Sequence, residues 1–394
     1  MRICLLVQLL SACCLAQTSL FAPNTVRRLR QVMDEIYRLN HAKAAALCEQ
    51  MIAQAPGDPI GYVYLARTYW ALQLYQGQEL TLERFAASDF FSETPGHNLP
   101  LDPVTEARFR KASLDAVTIA RTRLNANAQD QQARYLLGLA YQNMASYDAS
   151  LRRDWWSALR HGSKTYKYHR ELLAREPEFA DARLTVGVYH YLAGSLTWKT
   201  RWLAYLLGFQ GNKQRGIAEL ETAAGKGLLA ADDARTLLVL IYTREHEPQK
   251  AFQKLDELNQ KFQENYLVPL AMGAISLRME EPERAIAIYS GILNGTEHGK
   301  YPRLEKGTVY NRLGVAHQAT GDFTSAVDWF QLTIDAIGGS ERSKTIARLE
   351  LGKTLDLMGR RSDAVRYYQT VASASDFAGS REEAGKLLAR PYRR

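Results

Sequence analysis

A small residue, a second small residue twelve positions later and an aromatic residue four further on form a pattern that this chain repeats three times. The three sets are Gly273, Ala285 and Tyr289; Gly314, Ala326 and Phe330; and Gly352, Ala364 and Tyr368. Two helices joined by a short turn can approach closely only where both carry small side chains, so the spacing predicts stacked antiparallel helix pairs. We therefore expect an all-α, right-handed superhelical solenoid of about eight helix pairs.

The first residues have the pattern of a targeting segment. Arg2 is followed by an apolar run from Ile3 to Leu10 and then by small residues to Ala16. Such a run is too short to span a bilayer and is normally removed, which predicts a signal peptide over residues 1–16 and a periplasmic or secreted protein. Alternatively, the residues before Cys13 resemble a bacterial lipobox, which would make Cys13 a lipid anchor.

Beyond that segment the small-residue pattern organises the rest of the chain. A linker over 17–24 precedes the helical array of 25–375, and 376–394 forms a capping helix with a basic tail. The turns are enlarged in the N-terminal half, where a polar loop over 76–104 and an extra helix over 196–209 interrupt the repeat. Because no Gly/Ser-rich or Pro-rich linker divides the array, we expect one elongated domain.

The best-matching unit resembles the tetratricopeptide-repeat superfamily, in its exported bacterial form. The match rests on Tyr310, Leu313, Gly314, Ala316, Gly321, Asp322, Ala326 and Phe330. In addition, residues 208–217 are similar to a segment of the tetratricopeptide family associated with the mitochondrial outer membrane and inclusion-body clearance. The resemblance implies a fold, whereas this superfamily serves many unrelated partners.

The resemblance also implies where a partner would bind, because the first helix of each pair lines a concave groove in that superfamily. Counting from Ala66, Gly138 and Gly187 gives Val63, Arg67, Trp70, Tyr135, Leu139, Gln142, Leu184, Val188 and Tyr191. These side chains are mostly aromatic or aliphatic, which suits an apolar helix, an extended hydrophobic peptide or an acyl chain better than an acidic carboxylate. Alternatively, neighbouring helices or the inserted helix fill the groove.

A second candidate surface combines aromatic and basic residues. Trp198 and Trp202 lie on one stripe of the inserted helix, as in helices that bind at membrane interfaces. On a helix expected over 153–173, the cations Arg153, Arg160, Lys164 and Lys167 share one face. The simpler explanation of both patterns is a half-buried helix, but together they support a membrane-peripheral or lipid-handling role as the alternative function.

Motifs for catalysis are absent from the sequence. It contains no Gly-rich phosphate loop, no His-Glu-x-x-His, no Cys-x-x-Cys and no Gly-x-Ser-x-Gly, and its eight histidines have no metal-ligand spacing. Cys48 falls on the apolar side of its helix, which predicts a buried structural thiol. The net charge of +8 is spread along the chain, and nucleic acid is not an expected partner of an exported protein.

We therefore predict a scaffold of the bacterial cell envelope with no enzymatic activity, no cofactor and no metal. Its expected partner is a protein or peptide bound in the groove, with a membrane surface as the alternative. The sequence does not define the oligomeric state.

Overall fold

The computed structural model describes residues 20–77, 101–196, 211–377 and 379–393. Within these ranges the secondary structure consists of helices and turns, without β-strands. The seventeen α-helices are α1 Pro23–Tyr37, α2 His41–Gln54, α3 Pro59–Gln76, α4 Pro103–Ala126, α5 Gln131–Tyr147, α6 Trp155–Leu173, α7 Arg183–Gly194, α8 Lys213–Lys226, α9 Ala231–Arg244, α10 Pro248–Lys261, α11 Leu267–Arg278, α12 Pro282–Glu297, α13 Lys306–Thr320, α14 Phe323–Asp335, α15 Glu341–Leu357, α16 Arg361–Ser373 and α17 Ser380–Ala389.

Three predicted features lie wholly or mostly outside the described residues. The signal segment 1–16 lies outside the described residues, as do most of the loop 76–104 and all but the first residue of the inserted helix 196–209. The decapeptide 208–217 is described only from residue 211.

The small-residue pattern predicted helix contacts that the structure confirms. A Cβ atom on Gly273 would lie 2.3 Å from Cε1 of Tyr289, and one on Gly314 would lie 2.5 Å from Cε1 of Phe330. Gly352 is covered in the same way by Tyr368, at 2.5 Å. Each glycine therefore leaves the space that the aromatic ring of the second helix occupies. The alanines of the pattern, Ala285, Ala326 and Ala364, are fully buried.

Consecutive helices pack against each other from α5 to α8 and from α10 to α17. Together with the all-helical secondary structure, this packing confirms the predicted all-α class and the pairing that typifies a helical solenoid.

Contacts between residues group the chain into two compact units. Unit 1 consists of Met1–Met33, Ala42–Trp70 and Ala107–Ala234, and unit 2 consists of Asp34–His41, Ala71–Glu106 and Arg235–Arg394. Each unit is thus built from the N-terminal helices and a much later stretch of chain.

Hydrogen bonds inside each unit hold these distant segments together. In unit 1, Nε of Arg30 on α1 donates to the carbonyl of Leu228 at 3.1 Å. In unit 2, Nδ2 of Asn265 donates to the carbonyl of Tyr37 at 2.7 Å, and the Tyr37 ring stacks on Phe262 with 4.9 Å between centroids. The first helix therefore contacts residues about two hundred positions further along the chain in both units.

Helix α6 begins later than the sequence suggested. The turn Asp148–Arg152 has π-helical hydrogen bonds and ends at Arg153, whose backbone is left-handed with φ of 55°. Asp154 then caps the new helix, its carboxylate accepting from the backbone N–H of Ser157 at 3.0 Å. The predicted start at residue 153 was therefore wrong, because the cap that initiates the helix is Asp154 and Arg153 lies outside it.

Candidate functional site

Unit 1 contains a cavity that brings together most of the predicted groove residues. Six of the nine line it: Val63 and Arg67 from α3, Tyr135, Leu139 and Gln142 from α5, and Leu184 from α7. Its other lining residues are Met33, Tyr64, Asn143, Leu229, Ala230 and Asp233. The helix faces inferred by counting from the small residues therefore converge in space.

The cavity is small. Its free volume is about 20 Å³, which is enough for about one water molecule. Met33 of α1, Leu229, Ala230 and Asp233 also line it, and these come from segments outside the three predicted helices. Neighbouring segments of the chain therefore form part of the cavity wall beside the three predicted helices.

Four of the predicted groove residues belong to the core. Val63, Tyr135, Leu184 and Tyr191 each expose at most 3% of their surface. The Tyr135 ring meets Phe179 edge to face with centroids 4.9 Å apart, and burial raises the pKa of its phenol well above the ordinary value. These side chains hold α3, α5 and α7 together, with a contribution of a few kcal/mol expected from each large one.

The remaining predicted residues are half-buried and lie closer to the surface. Arg67, with 15% of its side chain exposed, forms an ion pair with Asp233, of which 13% is exposed. The Arg67 guanidinium also lies 5.7 Å from the centroid of the Trp70 ring, and Trp70 Nε1 donates to Oγ of Ser150 at 3.0 Å. Leu139, Gln142 and Val188 are half-buried as well.

A chain of hydrogen bonds connects the cavity wall to a buried histidine. Oγ1 of Thr185 donates to Oε1 of Gln142 at 2.6 Å and lies 2.8 Å from Nδ1 of His169. On the other side of the ring, Nε2 of His169 donates to the carbonyl of Tyr135 at 3.1 Å. Burial lowers the pKa of His169 to about 4, so the imidazole is neutral at pH 7 and serves to join α5, α6 and α7.

His169 also occupies the space that a small residue leaves free. A Cβ atom on Gly138 would lie 2.2 Å from Nε2 of His169. The small-residue pattern thus explains why Gly138 is needed, although it did not identify the ring that rests on it.

The second candidate surface is only partly described. Trp198 and Trp202 lie outside the described residues. Arg160, Lys164 and Lys167 are exposed on α6, whereas Arg153 precedes that helix and is half-buried. Sequence reasoning missed Trp156, which is 82% exposed and stands four residues before Arg160, in phase with the basic face.

Metal sites, membrane-spanning helices and a reactive thiol were also sought in the part of the chain that the structure describes. It holds no group of three or more His, Cys, Asp or Glu side chains arranged for a metal ion, and none of its helices is long and apolar enough to cross a bilayer. Cys48 is buried as predicted, and burial raises its pKa to about 12, so the thiol is not a nucleophile at neutral pH.

Comparisons with known proteins add little to this geometry. No protein-family model matches the sequence, and no curated protein matches it. Among solved structures, the chain is similar to the crystal structure of yeast Tom70 at 13% identity, over 93% of this chain and 82% of that chain, with a TM-score of 0.37. A TM-score of this size shows neither a shared family nor a shared function.

Proposed function

We propose that this protein is a non-catalytic scaffold of tetratricopeptide-repeat type that binds a protein or peptide through the surface around the cavity of unit 1. The observation that carries the proposal is the convergence of six predicted groove residues from α3, α5 and α7 on one apolar cavity. Aromatic and aliphatic side chains gathered at the surface of a helical array are typical of peptide recognition.

The predicted groove residues fall into a buried group and a half-buried group with different roles. Val63, Tyr135, Leu184 and Tyr191 are buried and fix the positions of the helices. Trp70, Leu139, Gln142 and Val188 are half-buried and form the contact surface, which we call the rim. The rim offers apolar area and one amide, so the partner is an apolar or aromatic peptide segment or a helix with such a face.

The charged groups beside the rim favour a partner without a clustered acidic end. Arg67 is the only cation among the six predicted residues on the cavity wall, and it is already paired with Asp233. Binding of an acidic carboxylate would have to compete with that ion pair and with its desolvation.

Site-specific photo-cross-linking tests the proposal. A photoreactive amino acid at position 139 and, separately, at 188 should cross-link the same protein, whereas the same group at the exposed position 332 should not. With that protein purified, Leu139→Asp should weaken binding at least about thirtyfold, because a charge would replace apolar contact area. The matched change Leu332→Asp should leave affinity unchanged. Different cross-linked proteins from positions 139 and 188, or unchanged affinity of Leu139→Asp, would reject the rim as the binding surface.

We also propose that the scaffold acts in the bacterial cell envelope, on the strength of the signal pattern over residues 1–16. Cell fractionation tests this. The chain should leave the cytoplasm, and Cys13→Ser should release it from membranes only if Cys13 carries a lipid.

A further inference from the structure

The outward face of helix α6 carries an exposed tryptophan at its N-terminal end, followed by a row of cations. Trp156 is 82% exposed and Leu159 is 48% exposed, one helical turn apart. Basic residues follow on the same face, at the spacing of successive helical turns. We call this surface the α6 outer face and define it by Trp156, Leu159, Arg160, Lys164, Lys167 and Arg170.

The cations of the α6 outer face keep their charge available. Among the ion pairs between described residues, none involves Arg160, Lys164, Lys167 or Arg170. The one acidic residue of the helix, Glu171, pairs with Arg134 of α5 at 2.7 Å. Asp154, the N-cap residue of the helix, interacts electrostatically with Arg160. It offsets only one of the four positive charges, so the face is positive.

Aromatic rings fix two of these side chains in place. Nζ of Lys164 lies 4.8 Å from the centroid of the Tyr141 ring, and the guanidinium of Arg170 lies 5.5 Å from the centroid of Tyr166. Arg160 donates to the hydroxyl of Ser157 at 2.9 Å. Each contact orders a long side chain without neutralising it, which lowers the entropy cost of binding an anion.

We propose that the α6 outer face docks on an anionic membrane surface. The positive face selects a negatively charged partner, and the exposed indole at its N-terminal end selects the interface of a bilayer, where tryptophan is preferentially found. A helix lying flat would place Trp156 and Leu159 among the lipid glycerol groups, while the four cations reach the phosphates. This surface is distinct from the rim, and membrane docking goes beyond partner binding.

Vesicle flotation with the full chain tests the proposal. We expect binding to vesicles of phosphatidylcholine and phosphatidylglycerol at a ratio of about 7 to 3, weak binding to phosphatidylcholine alone, and loss of binding in high salt as charges are screened. Trp156→Ala should weaken binding about tenfold, and Trp156→Phe should weaken it less. Arg160→Gln with Lys167→Gln should weaken it about thirtyfold, at about a factor of five for each cation.

Matched variants separate this surface from a general effect of charge or apolar exposure. Lys306→Gln with Arg393→Gln removes the same charge elsewhere, and Leu332→Ala removes an exposed apolar side chain on α14. Both should bind like the unchanged protein. Trp198→Ala with Trp202→Ala should also retain binding, since the proposal requires only α6.

Three results would overturn the proposal: no binding of the unchanged protein to anionic vesicles, equal binding to neutral vesicles, or full binding by Trp156→Ala. In the first case the positive face would be assigned to an acidic protein instead. Circular dichroism verifies that the variants fold, as expected for substitutions of exposed side chains.

Discussion

The guanidinium of Arg67 on α3 forms an ion pair with the carboxylate of Asp233 on α9 across 166 positions of sequence. Both side chains line the wall of the unit 1 cavity and both are mostly buried. The pair therefore joins an N-terminal helix to a helix from the middle of the chain, and it forms part of the cavity wall beside the rim.

Removing one member of this pair should be more damaging than removing both. Arg67→Ala leaves a mostly buried carboxylate without its cation and should lower the free energy of unfolding by about 3 kcal/mol. Arg67→Met combined with Asp233→Leu should cost less than the sum of the two single changes, with a coupling of at least about 1 kcal/mol. Urea unfolding followed by circular dichroism measures these values.

An exposed ion pair supplies the control for this comparison of single and double substitutions. Arg284 on α12 and Glu281, the residue before that helix, lie 2.8 Å apart, with 44% and 41% of their side chains exposed. Their coupling should stay below about 1 kcal/mol. Equal coupling in the two cycles would show that burial of the Arg67 pair does not strengthen it.

Gly314 should not tolerate even one added methyl group. Its Cβ would lie 2.5 Å from the fully buried ring of Phe330, which has no space into which to move. Gly314→Ala should therefore lower the free energy of unfolding by about 1–3 kcal/mol. Gly291, in the middle of α12 with no atom within 4 Å of such a Cβ, provides the opposite case, and Gly291→Ala should add about 0.5–1 kcal/mol.

Replacing the Phe330 ring with a smaller side chain tests the cause of that loss in free energy of unfolding. Phe330→Leu should cost less in the Gly314→Ala background than in the unchanged protein, because the smaller side chain relieves the overlap. Additive losses in urea unfolding would show that the methyl group does not act through Phe330.

The helix pairs could be derived from the sequence because their determinants are local. Gly314 and Ala326 are twelve positions apart, and their contact with Phe330 follows from helix geometry and one short turn. The same counting located the side chains of α3, α5 and α7 that meet at the cavity. Periodic patterns over short distances thus give the class of the fold and the inner face of its helices.

The rest of the cavity wall could not be derived in this way. It depends on Asp233 and on Met33, and nothing in the spacing of small residues indicates which distant segments pack together. The start of α6 was also missed, because the π-helical turn before Asp154 shifts the cap by two residues from the expected position. Trp156 was also overlooked, although its spacing of four residues from Arg160 places it in phase with the basic face.

His169 should make the stability of the protein depend on pH. Its pKa is lowered to about 4 in the folded state by burial, whereas an unfolded histidine has the ordinary value of 6.5. The unfolded chain thus binds the proton more readily, so the stabilisation present above pH 6.5 is lost as the pH falls towards 4. Between pH 7 and pH 5 the loss from this one group should be about 2 kcal/mol.

A difference between two proteins isolates the effect of His169 from that of the carboxylates. The free energy of unfolding of the unchanged protein minus that of His169→Gln should shrink by about 2 kcal/mol on going from pH 7 to pH 5. A constant difference for His169→Gln would show that its ring is not buried in the neutral form.

In unit 2, one buried carboxylate ties the end of the chain to the last helix pair. Asp356 has a fully buried side chain and accepts hydrogen bonds from the Tyr368 hydroxyl at 2.9 Å and from the backbone N–H of Tyr392 at 2.8 Å. Arg361 lies 3.0 Å from the same carboxylate and also donates to two carbonyl groups at the end of α17. Burial, followed by the hydrogen bond to Asp356, raises the pKa of Tyr368.

Asp356→Ala should therefore release the C-terminal segment. Arg361 and the Tyr368 hydroxyl would lose a buried acceptor, and the expected loss in free energy of unfolding is about 3–5 kcal/mol. Helix α17 should also open locally, at a lower free energy than global unfolding requires. Hydrogen exchange detects that opening as faster exchange of the amides of α17, while those of α12 keep their rates. Asp335→Asn, at an exposed position on α14, should leave exchange in α17 unchanged. If the amides of α17 kept the same protection from exchange in Asp356→Ala, packing against α16 would be sufficient to hold α17. The carboxylate would then not be what holds the C-terminal segment.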